Sequence, residues 1–124
     1  MSVKSIDLCW IVVKDFKKAV AFYTDVLGMK LLDIHEEFGW AELVGSDGGA
    51  YLGIAAENAD TPVKPGAHAI VTMTVQDIDK TVAEMTKKGA KMVGDVQEVP
   101  GHVKLQMFQD LDGNYCQLCQ KLDV

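Results

Sequence analysis

The apolar residues change their spacing several times along the chain, and each change predicts an element. Leu8 to Val13 is continuously apolar, a run suited to a buried strand. After Asp15 the spacing becomes three and four. Phe16, Ala19, Val20, Tyr23, Val26 and Leu27 then share one stripe of a helix that ends at Gly28. Three short strands follow, at about Leu31–His35, Trp40–Val44 and Tyr51–Ala55. The pattern then starts again. An apolar run ending at Val75 precedes a helix carrying Ile78, Val82 and Met85, which ends at Gly89. Strands are expected at about Lys91–Val93, Val103–Gln109 and Tyr115–Gln120.

The second pattern is a copy of the first. Val13-Lys14-Asp15-Phe16-Lys17-Lys18-Ala19-Val20-Ala21 matches Val75-Gln76-Asp77-Ile78-Asp79-Lys80-Thr81-Val82-Ala83 at an offset of 62 residues, half the 124-residue chain. Asp15 and Asp77 stand where an N-cap belongs, with a carboxylate oxygen available to an orphan helix N–H. Gly28 and Gly89 suit the left-handed residue that closes a helix. Asp47-Gly48-Gly49 and Asp112-Gly113-Asn114 mark the last hairpin of each half. Pro62, Pro65 and Gly66 mark a linker. The expected organisation is one domain of two βαβββ modules, at about residues 1–56 and 67–124, joined by a linker at 57–66.

Composition narrows the function classes. Twelve cationic residues, all lysine, against eighteen acidic ones leave a net charge of −6. Nucleic acid and anionic membrane surfaces are therefore disfavoured as partners, since each needs a concentrated basic face. Without arginine there is no bidentate fork for phosphate. Cys9, Cys116 and Cys119 make an odd count, which argues against a disulfide framework and for a reducing, cytoplasmic setting. The Leu8–Val13 run is too short for a secretion signal or a membrane span.

Two segments carry a family resemblance: Ala21-Phe22-Tyr23-Thr24-Asp25-Val26-Leu27-Gly28-Met29 and Asp110-Leu111-Asp112-Gly113-Asn114. Together with the doubled βαβββ unit, they make the chain resemble the vicinal-oxygen-chelate superfamily. That superfamily includes glyoxalase I, extradiol dioxygenases and bleomycin-binding proteins. The resemblance implies an α+β fold in which the modules form a curled, half-open mixed sheet around a cavity, and a homodimer. It also implies a divalent cation held by one side chain from the first and last strand of each half. On this chain those positions are Leu8, Gly53, Ile70 and Gln117, and the repeat agrees, since Leu8 and Ile70 are separated by its period. Three of the four carry no donor atom, and one neutral amide does not hold a catalytic cation. A register shift of two residues would bring in His68, whose repeat partner Ile6 supplies nothing. No metal and no cofactor are expected.

Strand alternation assigns the cavity side instead. Leu8, Trp10 and Val12 face inward on the first strand, and His68, Ile70, Thr72 and Thr74 on the fifth. Tyr51, Gly53, Ala55, Tyr115, Gln117 and Cys119 do so on the fourth and eighth. This apolar and aromatic lining with few polar anchors suits a small-molecule pocket. The candidate ligand-binding residues are Trp10, Tyr51, His68, Thr72, His102, Lys104, Tyr115 and Gln117. Each has a plainer reading as core filling, a hydrogen-bonded strand residue or a solvated loop. Lys104 enters because many members of the family hold a basic residue there, and His102 because it follows Pro100-Gly101 at a strand entrance. Glu42 and His68 are the candidate general bases.

Cys116-x-x-Cys119 lies along a strand, where residues three apart face opposite ways, so it is no redox or zinc motif. His35-Glu36-Glu37 reads as a solvated hairpin, and Gly45–Gly49 lacks the helix a phosphate loop needs. The expected function is metal-independent binding of a small, partly apolar molecule. The rivals are a metal-dependent lyase, isomerase or dioxygenase resembling glyoxalase I, a metal-free enzyme using His68 or Glu42, and a protein with a vestigial cavity. Whether the chain is an enzyme stays open at this point.

Overall fold

The alternating segments pair into two four-stranded mixed sheets, one in each half of the chain. The computed structural model describes residues 4, 6–59, 63–66 and 70–122. The chain divides into two compact units, Met1–Ala67 and His68–Val124. The first contains β1 (Leu8–Val13), α1 (Phe16–Ala21), β2 (Lys30–His35), β3 (Trp40–Gly45) and β4 (Gly48–Ala56), with sheet order β1-β4-β3-β2. The second contains β5 (Val71–Thr74), α2 (Ile78–Lys87), β6 (Lys91–Val99), β7 (Val103–Gln109) and β8 (Tyr115–Lys121), with order β5-β8-β7-β6. In each sheet the first and last strands pair parallel and the rest antiparallel. The fold is α+β, and neither sheet closes on itself. No helix among the described residues is long and apolar enough to cross a membrane.

Both predicted caps form. Asp15 accepts from the Lys18 N–H and Asp77 from the Lys80 N–H, each at 3.1 Å. The first helix differs from the continuous α-helix that the spacing predicts. From Phe22 to Val26 it widens into a π-helical turn. Thr24 accounts for this locally, because its hydroxyl donates to the Val20 carbonyl at 2.9 Å and competes with the regular ladder. The Leu27 and Met29 N–H groups reach back to Phe22 and Tyr23 instead.

β6 runs to Val99, well past the predicted end at Val93. Gly94-Asp95 looks like a strand breaker, yet it forms a bulge between Val93 and Gln97. The buried Gln106 amide donates to the carbonyls of Val93 and Gly94, at 3.3 and 3.0 Å, and so satisfies groups the bulge takes out of the ladder. In the other unit the hairpin loop is Ser46-Asp47, one residue earlier than Asp-Gly-Gly suggests, with Gly48 already in β4.

His35 is the last residue of β2, where the expected strand ends, and Glu36 to Gly39 form the turn. Its Nε2 lies 3.0 Å from Asp33 and its Nδ1 3.4 Å from Glu37, and its ring stacks on Phe38. The hydrogen bond to Asp33 raises the His35 pKa above the ordinary value, outweighing desolvation, and the charges of Asp33 and Glu37 add to it.

The core of the second unit is built on Ile78, Met85, Phe108, Cys116 and Leu118. Its β7–β8 turn is anchored by one carboxylate. Asp110 accepts from the Asp112 and Asn114 N–H groups at 2.9 Å and from the Asn114 side-chain amide at 2.8 Å. Asn114 is 1% exposed, so water does not replace these bonds.

Two predictions follow the turn chemistry. Asp110→Ala strips a buried amide of its acceptor and should cost about 3 kcal/mol in urea unfolding. The His35 pairing stabilises fully below the ordinary histidine pKa of about 6.5 and is lost as pH rises through the higher folded value. An NMR titration should show the His35 midpoint falling in Asp33→Asn.

Candidate functional site

In the first unit, the apolar residues Ile11, Val13, Ala41, Leu43, Leu52 and Ile54 are buried and occupy alternate positions of three paired strands. The intervening positions form the opposite face. There Trp10 pairs in register with Gly53, Gly53 with Glu42, and Glu42 with Asp33. Tyr51, Leu8, Trp40 and His35 belong to the same face by alternation. Trp10 and Tyr51 remain 43% and 42% exposed, and Leu8 38%. That is a large exposed apolar surface for so small a unit.

Gly53 explains how the face is assembled. A Cβ at this position would collide with Trp40 Cη2, and would lie 2.8 Å from Trp40 Cζ2 and 2.9 Å from Trp10 Cβ. The absent side chain is the space into which the Trp40 indole lies. Trp10 and Trp40 meet edge to face with centroids 6.2 Å apart. Trp40 Nε1 donates to Glu42 Oε2 at 3.1 Å, which fixes the indole and holds a carboxylate beside it. Trp40 is absent from the residues singled out by sequence. The signal that would have found it is a mid-strand glycine, which marks close approach of another group.

The second unit places Tyr115, Gln117, Thr72 and Ile70 on the face away from α2. The opposite orientation is set by Gln120, which accepts from the Ile78 N–H at 2.8 Å. Thr72 donates to the Gln117 amide oxygen at 3.2 Å. Tyr115 and Ile70 are exposed. Lys104 does not join them. Its amine reaches Asp79 of α2 at 3.3 Å, so it sits on the helix side, because it pairs in register with Gln120. The sequence left the direction of this mid-strand charge open, and the register places it away from Thr72, Gln117 and Tyr115. His102 lies in the exposed β6–β7 turn, where its N–H donates to Val99 and its carbonyl accepts from Leu122. His68 lies outside the described residues.

Beside Lys104 an open cleft of about 790 Å³ is lined by Asp77, Asp79, Lys80, Glu84 and Gln120 among others. Its charged groups and helix cap offer no apolar platform, so the aromatic face of the first unit is the better candidate.

A divalent cation does not fit the four positions that the resemblance indicates. Leu8 and Ile70 have no donors, the place of a side chain at Gly53 is taken by Trp40, and the Gln117 oxygen is already engaged by Thr72. Among the described residues, no three or more His, Cys, Asp or Glu side chains are arranged to hold a metal ion. Cys9, Cys116 and Cys119 are free thiols.

Comparison with solved structures gives full-length matches. A glyoxalase/bleomycin resistance protein/dioxygenase superfamily member from Sphaerobacter thermophilus superposes with a TM-score of 0.83 at 21% identity, covering 96% of this chain and 98% of the other. TnmS3, an antibiotic binding protein from Streptomyces sp. CB03234, gives 0.80 at 25% identity with 98% of both chains covered. A glyoxalase/bleomycin resistance protein/dioxygenase from Nocardioides gives 0.75 at 20%, covering 99% of this chain and 87% of the other. No curated protein matches the chain significantly by sequence. The model of the Glyoxalase/Bleomycin resistance protein/Dioxygenase superfamily matches residues 5–118, nearly the whole sequence, and the chain belongs to that superfamily.

Proposed function

We propose that the protein binds a small, partly apolar molecule without a metal ion, as a cytoplasmic homodimer. The observation that carries this reading is the replacement at Gly53: where the family's metal enzymes place a ligand, this chain places the edge of Trp40. An exposed aromatic surface with one fixed carboxylate offers van der Waals area and a polar anchor, which is what a binding face needs. Glu42 is engaged by an indole N–H, not by a hydroxyl or thiol it could activate, so general-base chemistry finds no partner on this face among the described residues. The full-length likeness to an antibiotic binding protein agrees with a binding role.

Elemental mass spectrometry of untagged protein should find no stoichiometric Zn, Ni, Mn or Fe, and none of these ions should raise the melting temperature. One cation per chain, lost in Gln117→Ala, would instead establish a glyoxalase-type metal enzyme. A ligand screen read by tryptophan fluorescence should yield quenching that is weakened about tenfold or more in Trp10→Ala, in line with loss of an aromatic contact. Gly53→Ala should displace Trp40, shift the emission to the red and cost about 1–3 kcal/mol, the usual penalty of overpacking.

A further inference from the structure

We infer that the molecule taken up on the aromatic face of the first unit is an organic cation, an amine or quaternary ammonium borne by a planar or aromatic body. The inference rests on the binding reading above and names its ligand class.

The charges on this face are unbalanced. Asp33 and Glu42 stand directly opposite each other across β2 and β3, on the same side of the sheet. Like charges so placed are destabilising, and a cation between them relieves the repulsion. Asp33 is met by His35, which also contacts Glu37. Glu42 has no ion-pair partner among the described residues. Its one hydrogen bond comes from the Trp40 indole, which leaves its second oxygen for a ligand. Lys30 is in register with Val44, at the far end of the same strands, and among the described residues forms no ion pair with either carboxylate.

The aromatic groups add a second, independent attraction. Trp10, Trp40 and Tyr51 share the sheet face with Glu42 by strand alternation, Trp10 and Tyr51 are exposed there, and indole is the strongest side chain for cation–π contact. A neutral apolar ligand would use these rings but leave the carboxylate desolvated and unpaired, which costs binding energy. An anion would meet two carboxylates. A cation uses both features. The net charge of −6 also favours the approach of a cation from solution.

The test uses the full-length protein and two probes that differ only in charge, (4-hydroxyphenyl)trimethylammonium and 4-tert-butylphenol, with tryptophan quenching as the readout. The cation should bind about tenfold more tightly than its neutral isostere, and the preference should shrink as salt is raised. In Glu42→Gln, whose amide oxygen can still accept from the Trp40 indole, the ratio of the two affinities should fall to about one. Circular dichroism would verify that the variant is folded. Equal affinities in the wild type, or a ratio unchanged in Glu42→Gln, would overturn the cation assignment and leave the broader binding reading intact. Quenching by neither probe would overturn the assignment as well, and the general ligand screen would then decide the binding reading separately.

Discussion

A sheet has two faces, and each sheet here has one helix in its own unit to cover them. That constraint governs the first unit. The face carrying Ile11, Leu43, Leu52 and Ile54 closes on itself as an apolar core. The other face has no helix of its own, and it is furnished with side chains large enough to form a surface in their own right. The edge of Trp40 fills the space beside Gly53, Trp10 meets it edge to face, and Glu42 pins the indole by its N–H. The properties argued for the site come from solving this one problem with aromatic side chains instead of a second helix.

The second unit meets the same constraint with different chemistry. Its open face carries Thr72 bonded to Gln117, flanked by Ile70 and Tyr115, and has neither an indole nor a carboxylate. On its other side Lys104 pairs with Asp79 of α2. The duplicated modules have therefore diverged in the side chains that furnish the open face. The topology has not diverged, since strand order and pairing directions are the same in both. Function in such a fold is a property of the face, and the scaffold alone says little about it.

The repeat, the caps at Asp15 and Asp77 and the strand faces were legible because each rests on local rules: a periodicity, a cap residue, an alternation. What escaped depends on partners distant in sequence. The length of β6 was hidden because Gly94-Asp95 reads as a break until Gln106, from the next strand, is seen to satisfy the bulge. The π-turn after Ala21 depends on which carbonyl Thr24 selects. The direction of Lys104 was open in the sequence because a mid-strand charge can aim either way, and only its register with Gln120 places it on the helix side. Trp40 was overlooked because an aromatic residue at a strand start looks like ordinary core, and its role appears only with Gly53 opposite its edge.

Gly53 and Trp40 also constrain the routes by which such a sequence can change. Placing a carboxylate or imidazole at position 53 in one step would drive its Cβ into the indole. Shrinking Trp40 first would open a gap beside Trp10 and release Glu42 from its tether. Each single change is unfavourable in the background of the other residue, so the two positions are epistatic. A metal-holding face at the positions the family resemblance indicates would need both substitutions together, along with new donors at Leu8 and Ile70. The glycine and the indole thus form one unit of substitution, to be exchanged as a pair or kept as a pair.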